Sequence, residues 1–323
     1  MKEVDFEIGI IYEHPDWHIP LFEALDRKGI SYAKIDLKCG AYNEKNIPKA
    51  HIYYNLVSPS AYLRGNQRAV PYALSLCKML EIGGYNVLNG TSSMQIEFSK
   101  SAQIALLQKL DIDHPRSVVF NSVEALKVLK DDLKFPMVMK PEQGGSGARM
   151  FLIYNLEELE ELLDQQPDLW LPDNLLLLQE KLEYDSSHGI VRMEFIGGNL
   201  LYAMRVVTNG SFNLCPSVVC NPEEGAGHCE TGQVHIAPAA KPEFYPYINV
   251  PNKAVEAGAR IMQMCGHATG SVEYVVTKEG RMVFYDINSN SNLRESIARE
   301  FGKQPFDEVA EYLQGSIDMR NDS

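Results

Sequence analysis

The end of a predicted hairpin near the carboxyl terminus carries residues that can bind a metal ion. The apolar residues of FYDIN, residues 284–288, predict a strand that becomes polar as it ends. Side chains alternate between the two faces of a strand, so Asp286 and Asn288 point to the same face, and Asn290 joins them if the strand continues. Glu273 lies on the preceding strand, across a short turn. Two carboxylates and an amide oxygen on one face form a hard-oxygen site suited to Mg²⁺.

The alternative interpretation of this hairpin is a surface ribbon with scattered acids. Its apolar flanking residues instead favour a partly buried sheet, in which unpaired carboxylates are costly and a metal ion relieves the cost. We therefore predict that Glu273, Asp286 and Asn288 are metal ligands.

A glycine-rich loop follows a second strand end. The strand PMVMK ends with Lys140, and the loop PEQGGSG that comes next carries Gly144, Gly145, Ser146 and Gly147. Glycine-rich turns expose backbone N–H groups to phosphate oxygens, and a lysine supplies the countercharge. The lysine precedes the glycines and leads to a hairpin, so this is not a Walker loop, and an ordinary hairpin loop with an exposed lysine is the alternative.

A third strand end, in LLLLQEKLEYD, changes from buried to polar. Its backbone groups are placed to read an adenine edge, and a nearby acid, Glu183 or Asp185, is placed to accept a hydrogen bond from a ribose hydroxyl. A plain strand end is the alternative. The predicted hinge consists of Gln179, Glu180, Lys181 and Leu182.

Composition limits what kind of protein positions these residues. The 323 residues are 45% hydrophobic and 23% charged, as in a globular protein. A formal net charge of -13 argues against nucleic acid or an anionic membrane as the main partner. No run of about eighteen apolar residues exists, and the amino terminus lacks the layout of a signal peptide. We expect a cytoplasmic protein whose six cysteines are mostly reduced thiols.

Strand and helix patterns divide the chain into three parts. Residues 1–92 alternate short apolar strands with helices, which favours a parallel sheet in a Rossmann-like α/β domain, and the absence of GxGxxG makes NAD unlikely. A long helix is predicted from Ser92, with a capping box to Gln95 and Lys100 at mid-helix. A small α+β unit follows, and then long strands that suggest an antiparallel sheet with terminal helices.

The order of several of these motifs along the chain is typical of one protein superfamily. SK at 99–100, PMVMKP followed by GGSG, LLLQEKL, VRMEFIGGNLLYAMR and VEYVV with VFYDINSNSN together resemble the ATP-grasp superfamily, and within it the RimK-like carboxylate–amine ligases. The resemblance spans nearly the whole chain. It implies an α/β and α+β fold, with a preATP-grasp domain at 1–92, a lid subdomain with the glycine-rich loop at 93–182 and a C-terminal subdomain with the Mg²⁺ site at 183–323.

The resemblance also implies an activity. Such enzymes use ATP to phosphorylate a small-molecule carboxylate, an amine such as an amino acid or peptide attacks the acyl phosphate, and ADP and phosphate are released. It implies two Mg²⁺ ions, for which Mn²⁺ can substitute. The alternatives are an ATP-grasp kinase that phosphorylates a hydroxyl and a nucleotide-binding regulatory protein without turnover. A homodimer is expected because two-fold dimers are the commonest oligomers.

Residue roles follow from the same resemblance. Lys100 and Lys140 match the two lysines that contact the ATP phosphates, and residues 144–147 match the flexible loop that covers them. Glu180 and Leu182 match the hinge positions whose backbone meets adenine.

The resemblance further implies how the transferred phosphate is held. Arg192 and Arg205, on adjacent strands, match arginines that face this phosphate or the substrate carboxylate, and the three predicted metal ligands match those of the family. Asn290 lies just beyond these ligands, where the phosphate and the acceptor meet. The family often has an aspartate two residues before the first arginine, and this chain has Ile190 there, which leaves His188 as the candidate partner of Arg192.

Two further segments have open interpretations. In EHPDWHIP, Trp17 and His18 contact the second substrate, or Asp16 caps a helix. Arg64 and Arg68 bind a substrate carboxylate or are simply exposed.

The segment between Asn213 and His235 is expected to be a loop that covers the substrate. Its potential zinc ligands fit no standard zinc pattern, so structural zinc is the lesser alternative. These residues are Cys215, Cys220, His228, Cys229 and His235.

Overall fold

The computed structural model describes residues 4–14, 16–145, 149–208, 242–291 and 293–321. Within these ranges the strands form one parallel four-stranded sheet and two antiparallel sheets of four and five strands. No helix in the described part of the chain is long and apolar enough to span a membrane.

The first sheet is parallel, as predicted, with the strand order β2-β1-β3-β4. Helix α1 ends at Gly29, whose φ of 70° is a left-handed conformation that glycine adopts without strain. The last helix of the chain, α9, packs on this sheet through apolar side chains such as Val309 and Leu313. The elements are β1 (Phe6–Tyr12), α1 (Ile19–Lys28), β2 (Tyr32–Asp36), β3 (Ala50–Asn55), α2 (Ala69–Ile82), β4 (Asn86–Leu88) and α9 (Pro305–Asn321).

Two helices replace the single long helix that the pattern predicted. Helix α3 (Thr91–Glu97) begins near Ser92, as predicted, but its N-cap is Gly90 and no capping box forms. The chain then breaks at Ser99, which is extended and whose hydroxyl accepts the Ala102 N–H at 3.1 Å. Ser99 thus caps a new helix, α4 (Lys100–Lys109). Lys100 is therefore at the first turn of a helix rather than in mid-helix.

The antiparallel four-stranded sheet has the order β5-β8-β6-β7 and is covered by α6. The predicted amphipathic helix after β5 is much shorter than its pattern indicated, since α5 is followed by a 3₁₀ turn. The elements are β5 (Ser117–Phe120), α5 (Val123–Leu126), β6 (Met137–Pro141), β7 (Phe151–Ile153), α6 (Leu156–Gln165) and β8 (Leu176–Glu180).

The five-stranded sheet has the order β11-β10-β9-β12-β13. Helix α7 packs on one face through residues such as Ile261 and Met262, and α8 covers part of the other face. Strand β11 and helix α7 were not specifically predicted. The elements are β9 (Ile190–Ile196), β10 (Asn199–Val207), β11 (Glu243–Pro246), α7 (Asn252–Cys265), β12 (Thr269–Val276), β13 (Met282–Asn288) and α8 (Glu295–Glu300).

Asn89 joins the parallel sheet to the five-stranded sheet. Its backbone has a φ of 50°, which asparagine tolerates better than most residues. Its Nδ2 donates to the carbonyls of Thr269 at 3.1 Å and Ser289 at 2.9 Å, and its Oδ1 accepts the Ala268 N–H at 2.8 Å. Asn55 donates to the Asn89 carbonyl at 3.0 Å. One buried amide therefore holds β12 and the end of β13 against β4.

We expect Asn89→Ala to lower the free energy of unfolding by about 2–4 kcal/mol, because several buried backbone groups lose their partner. Urea unfolding followed by circular dichroism measures the change. Asn121→Ala, at an exposed position, is the control and should change stability by less than about 0.5 kcal/mol. Equal stability of the two variants would contradict a joining role for Asn89.

Candidate nucleotide and metal site

Helix α4 is fixed alongside β13 by a buried glutamine. Gln103 accepts the Ile287 N–H at 3.2 Å and donates to the Ile287 carbonyl at 2.9 Å. This pairing brings the start of α4 to the end of β13, where Lys100 Nζ forms an ion pair with Asp286 Oδ1. The structure thus brings together two predicted site residues that are far apart in the sequence.

The three predicted metal ligands lie together at the end of the β12–β13 hairpin. Glu273 and Asp286 are direct partners across the two strands, and Asn288 Nδ2 donates to Asp286 Oδ2 at 3.1 Å. A β-bulge leaves Tyr285 without a partner in the ladder, and its hydroxyl donates to Glu273 Oε2 at 3.0 Å. The bulge explains why both Tyr285 and Asp286 reach Glu273.

The protonation of the two carboxylates fits a cation site. Burial raises the pKa of Glu273 to about 7, against the opposing effect of Arg192. Burial acts in the same direction on Asp286, but Lys100 and Lys140 outweigh it, so the pKa of Asp286 lies below its ordinary value. The buried Glu273 and the half-buried Asp286 both pair with nearby cations, and carboxylate oxygens of this kind are the donors that Mg²⁺ prefers. The residues present therefore fit the implied Mg²⁺.

Lys140 lies on β6 and is almost completely buried. Its Nζ donates to Gln179 Oε1 at 2.9 Å, and Gln179 Nε2 donates to Ser117 Oγ at 3.0 Å. Burial, together with the nearby charge of Lys100, lowers the pKa of Lys140 to about 8. Gln179, which was predicted at the nucleotide hinge, contacts Lys140 through its side chain and so helps to place this lysine.

A pH dependence follows from the Lys140 pKa. An exposed lysine has a pKa near ~10.4, whereas Lys140 loses its proton as the pH rises through about 8. If Lys140 binds phosphate as a cation, the affinity for Mg·ATP should fall by about fivefold between pH 8 and pH 9, since the protonated fraction of a group with a pKa of about 8 falls from about one half to about one tenth. Isothermal titration calorimetry at a series of pH values measures the affinity for Mg·ATP. Lys140→Arg, always charged, should show a flat profile, and an equally steep profile would contradict the assignment.

Glu142 connects the strand of Lys140 to the helix of Lys100 and was missed by the sequence analysis. Its carboxylate accepts the Ser99 hydroxyl at 2.7 Å and the Ser101 N–H at 3.0 Å, and the Lys100 N–H donates to its carbonyl at 3.3 Å. A buried carboxylate at a helix start is stabilised by the free N–H groups there. The two predicted phosphate lysines are thus tied to each other through one residue.

The predicted adenine hinge follows β8. The Glu180 N–H donates to the Arg116 carbonyl at 2.8 Å, and the Glu180 side chain also pairs with Arg116. Glu180 is therefore still part of the sheet, and its N–H is not available to a base. Lys181 and Leu182 come after the strand end and are half-buried. The side chain of Lys181 pairs with the exposed Glu183.

The predicted ribose ligand, Asp185, lies in an exposed turn. Hydrogen bonds from Ser187, and then from His188, lower the pKa of Asp185 to about 2. His188 therefore pairs with Asp185, and its predicted role as the partner of Arg192 is wrong.

Arg192 contacts three acceptors on the other side of the site. Its Nε donates to Glu194 Oε1 at 2.7 Å, its Nη1 to Glu273 Oε1 at 2.9 Å and its Nη2 to Ser291 Oγ at 2.9 Å. Although burial acts to lower it, the charges of Glu194 and Glu273 raise the pKa of Arg192 above its ordinary value. Glu194 was missed, and its position two residues after Arg192 on the same strand face was the available signal.

Arg205 and Arg192 lie on opposite faces of the five-stranded sheet. Arg205 is paired with Val191, and residues directly opposite each other share a face of the sheet. Val191 belongs to the apolar face that packs on α7, whereas Arg192 points to the other face. The expectation that both arginines face the transferred phosphate is therefore corrected.

The described part of the glycine-rich loop lies against the first sheet. A Cβ added to Gly145 would be 3.1 Å from Ser60 Cβ, so the loop backbone closely approaches the segment after β3. Gly144 packs near Pro141. Ser146 and Gly147 lie outside the described residues, as does Asn292.

The predicted zinc ligands also fall outside the described ranges. The residues concerned are Cys215, Cys220, His228, Cys229 and His235.

Asn290 lies just beyond the metal ligands. Its N–H donates to Glu97 Oε1 at 3.3 Å, and its Nδ2 donates to the Leu56 carbonyl. Its Oδ1 is buried and has no hydrogen-bond partner among the described residues. Burial raises the pKa of Glu97 to about 7, while the Ser289 hydroxyl lowers it. Asn290 is therefore held between α3 and the segment after β3.

The segment after β1 corrects two expectations. His18, not Asp16, is the N-cap of α1, and no side-chain cap forms. Arg64 is not exposed, because its guanidinium forms a buried ion pair with Glu13 and packs 5.2 Å from the centre of the Trp17 ring. Arg68, in contrast, is exposed.

The predicted lysines and carboxylates, Lys100, Lys140, Glu273 and Asp286, therefore lie close together. Residues 98–216 match the model of the RimK-like ATP-grasp domain. The chain thus contains a RimK-like ATP-grasp domain, and the predicted α/β and α+β fold is confirmed.

Solved structures of the same fold are distant in sequence. The ATP-grasp ligase PsnB, complexed with a minimal precursor, is 16% identical, with a TM-score of 0.63 over 97% of this chain and 99% of that chain. A RimK domain ATP-grasp protein from Sphaerobacter thermophilus is 16% identical, with a TM-score of 0.64 over 95% and 99%. The D-cycloserine synthetase DcsG is 14% identical, with a TM-score of 0.68 over 96% and 99%.

Curated relatives include large chains of carbamoyl phosphate synthase. That of Campylobacter jejuni is 24% identical over 257 residues, which are 77% of this chain and 22% of the relative. That of Saccharolobus islandicus is 31% identical over 97 residues, 29% of this chain and 9% of the relative. The chain therefore spans less than a quarter of the length of these relatives.

Proposed function

We propose that this protein is an ATP-dependent carboxylate–amine ligase that forms an amide or peptide bond through an acyl phosphate. The observation that carries the proposal is the convergence of three cations, Lys100, Lys140 and Arg192, on the buried Glu273 and the half-buried Asp286. Phosphoryl transfer needs positioning and charge neutralisation more than covalent chemistry by the protein, and these residues supply both. Solved structures with the same fold include proteins named as a ligase and a synthetase, which supports the proposal.

Each residue has a defined task in this proposal. Lys100 and Lys140 bind the ATP phosphates, and Arg192 contacts the γ-phosphate. Glu273, Asp286 and Asn288 hold two Mg²⁺ ions, or Mn²⁺ in their place. Bound Mg²⁺ neutralises charge on the phosphate oxygens as a Lewis acid.

The nucleotide base and sugar are held at the strand end after β8. The backbone of Lys181 and Leu182 contacts adenine, while Asp185 accepts a hydrogen bond from the ribose. Gly144 and Gly145, with the glycine-rich loop that continues from them, cover the phosphates. We further propose that the three sheets belong to domains at 1–92, 93–182 and 183–323, with α9 returning to the first sheet.

The bond changes balance without a protein nucleophile. A carboxylate oxygen of the substrate attacks the γ-phosphorus, the bond to the ADP oxygen breaks, and an acyl phosphate forms. The amine then attacks the acyl carbon, phosphate leaves, and the amine loses a proton. Asn290, beside the metal ligands, lies where the acceptor meets the acyl phosphate in this proposal.

A screen of amino acids and short peptides, singly and in pairs, tests the proposal by ADP release with mass detection of products. Hydroxylamine should trap the acyl phosphate as a hydroxamate when the acid alone is present. A phosphate ester that hydroxylamine does not alter would show a kinase instead. No ADP release with any pair, despite ATP binding, would show a regulatory protein without turnover.

A further inference from the structure

Glu194 is a buried carboxylate that the proposed chemistry has not used. It lies on β9, two residues after Arg192 and on the same face of the sheet, and is only 1% exposed. Its Oε1 accepts the Arg192 Nε–H at 2.7 Å. Its Oε2 is buried without a hydrogen-bond partner among the described residues. Burying a carboxylate is costly unless it is paired, and Arg192 is the hydrogen-bond partner of Glu194 in the described part of the chain.

The other two partners of Arg192 have tasks of their own. Glu273 is a proposed metal ligand, and both of its oxygens are occupied, one by Arg192 and one by the Tyr285 hydroxyl. Ser291 directly follows Asn290, in the segment where the acceptor is proposed to bind. A divalent cation that draws on Glu273 weakens its bond to Arg192. Glu194 is outside the set of proposed metal ligands, so its bond persists.

We propose that Glu194 is a positioning residue that fixes the guanidinium plane of Arg192, so that Nη1 and Nη2 face the γ-phosphate when Mg·ATP is bound. The bond to Nε leaves the two Nη groups, which form the fork that matches phosphate oxygens. Without it, Arg192 keeps only the Ser291 hydroxyl among its described partners once the metal engages Glu273, and one bond to Nη2 does not fix the guanidinium plane. This inference rests on the proposed function, because it assigns the γ-phosphate to Arg192.

The preference for a γ-phosphate is the readout, and it needs no knowledge of the carboxylate or amine. The ratio of the affinities for Mg·AMPPNP and Mg·ADP, measured by calorimetry, reports contacts to the γ-phosphate alone. Glu194→Met removes both acceptor oxygens at similar length and should lower this ratio by about tenfold, the loss of one charge-assisted hydrogen bond. Glu194→Gln keeps an acceptor oxygen for Nε and should retain most of the preference.

A double-mutant cycle separates positioning from a general structural effect. Arg192→Lys lacks the Nε group and should lower the same ratio by itself. Adding Glu194→Met to Arg192→Lys should then cause no further loss, because the two residues act as one unit. The melting temperature of each variant records any loss of stability, and a structural effect would weaken ADP and AMPPNP binding equally.

The outcomes are distinct. If the unmodified protein binds neither Mg·ADP nor Mg·AMPPNP, the proposed function fails. If it binds the two equally, Arg192 does not contact the γ-phosphate and the role of Glu194 fails. If it prefers AMPPNP but Glu194→Met keeps that preference, the role of Glu194 fails while the proposed function stands. Additive effects of the two substitutions would also overturn the role of Glu194. A lowered ratio in Glu194→Met, its recovery in Glu194→Gln and non-additivity with Arg192→Lys would establish it.

Discussion

Asp286→Asn should abolish most of the Mg²⁺-dependent ADP formation, with a fall in kcat/KM of about 10²- to 10³-fold. The amide keeps the volume of the side chain but removes the charge that pairs with Lys100 and that a metal ion requires. A metal ion supplies several kcal/mol of charge stabilisation in a phosphoryl-transfer transition state, which corresponds to this factor. ADP release is measured with the substrate pair found in the screen, and Mn²⁺ binding is followed by electron paramagnetic resonance.

Asp113→Asn is the matched control for this substitution. Asp113 forms an exposed ion pair with Arg281, which lies in the turn between β12 and β13. The substitution therefore makes the same chemical change without touching the site. We expect its activity to stay within about twofold of the unmodified protein, since exposed ion pairs contribute little. Full activity with unchanged Mn²⁺ binding in Asp286→Asn would rule out Asp286 as a metal ligand.

Lys100→Met should weaken the binding of Mg·ATP and strengthen the binding of Mn²⁺. Lys100, which is proposed to bind phosphate, forms an ion pair with Asp286, which is proposed to bind the metal. Each therefore neutralises the charge of the other in this structure. Removing the ammonium group should weaken Mg·ATP binding by about 10- to 100-fold, the value of a charge-assisted contact to phosphate. It should also strengthen Mn²⁺ binding to the nucleotide-free protein several-fold, because Asp286 loses its internal counter-charge. Calorimetry measures the first and paramagnetic resonance the second.

The same reasoning makes nucleotide and metal binding interdependent in the unmodified protein. ATP phosphates that engage Lys100 release Asp286 for the metal, and linkage requires that the metal favours ATP equally. Lys127→Met, which removes an exposed lysine paired with Glu124, is the control and should change neither affinity. If Lys100→Met weakened both ligands together, the ion pair with Asp286 would not be the competing contact.

Local patterns in the sequence predicted several of the residues that the structure brings together in the candidate site. Strand alternation placed Glu273, Asp286 and Asn288 on one face, and the hairpin register brought the two carboxylates directly opposite each other. The placement of these ligands depends on the two-residue period of a strand and on a short turn, which a single segment specifies. The phosphate role of the lysines was predicted from the resemblance to ATP-grasp ligases instead.

The partners of these residues could not be predicted in the same way. Glu142 caps the helix of Lys100 across 41 residues, and Glu97 contacts Asn290 across 193. Such contacts depend on how whole sheets and helices pack, and many acids in the chain were equally plausible partners. The break at Ser99 was missed for a related reason, since Ser99 also bonds to Glu142 on another element.

Arg205 shows most directly where the sequence alone becomes insufficient. The types and order of residues in β9 and β10 determined that a hairpin forms and that an arginine lies on each strand. A register shift between Leu200 and Tyr202 then inserts one extra residue, so that Arg205 pairs with Val191 and leaves the face of Arg192. A one-residue slip moves every later side chain to the opposite face of a strand. Only the packed sheet decides that register, because it depends on which face meets α7 and which meets the site.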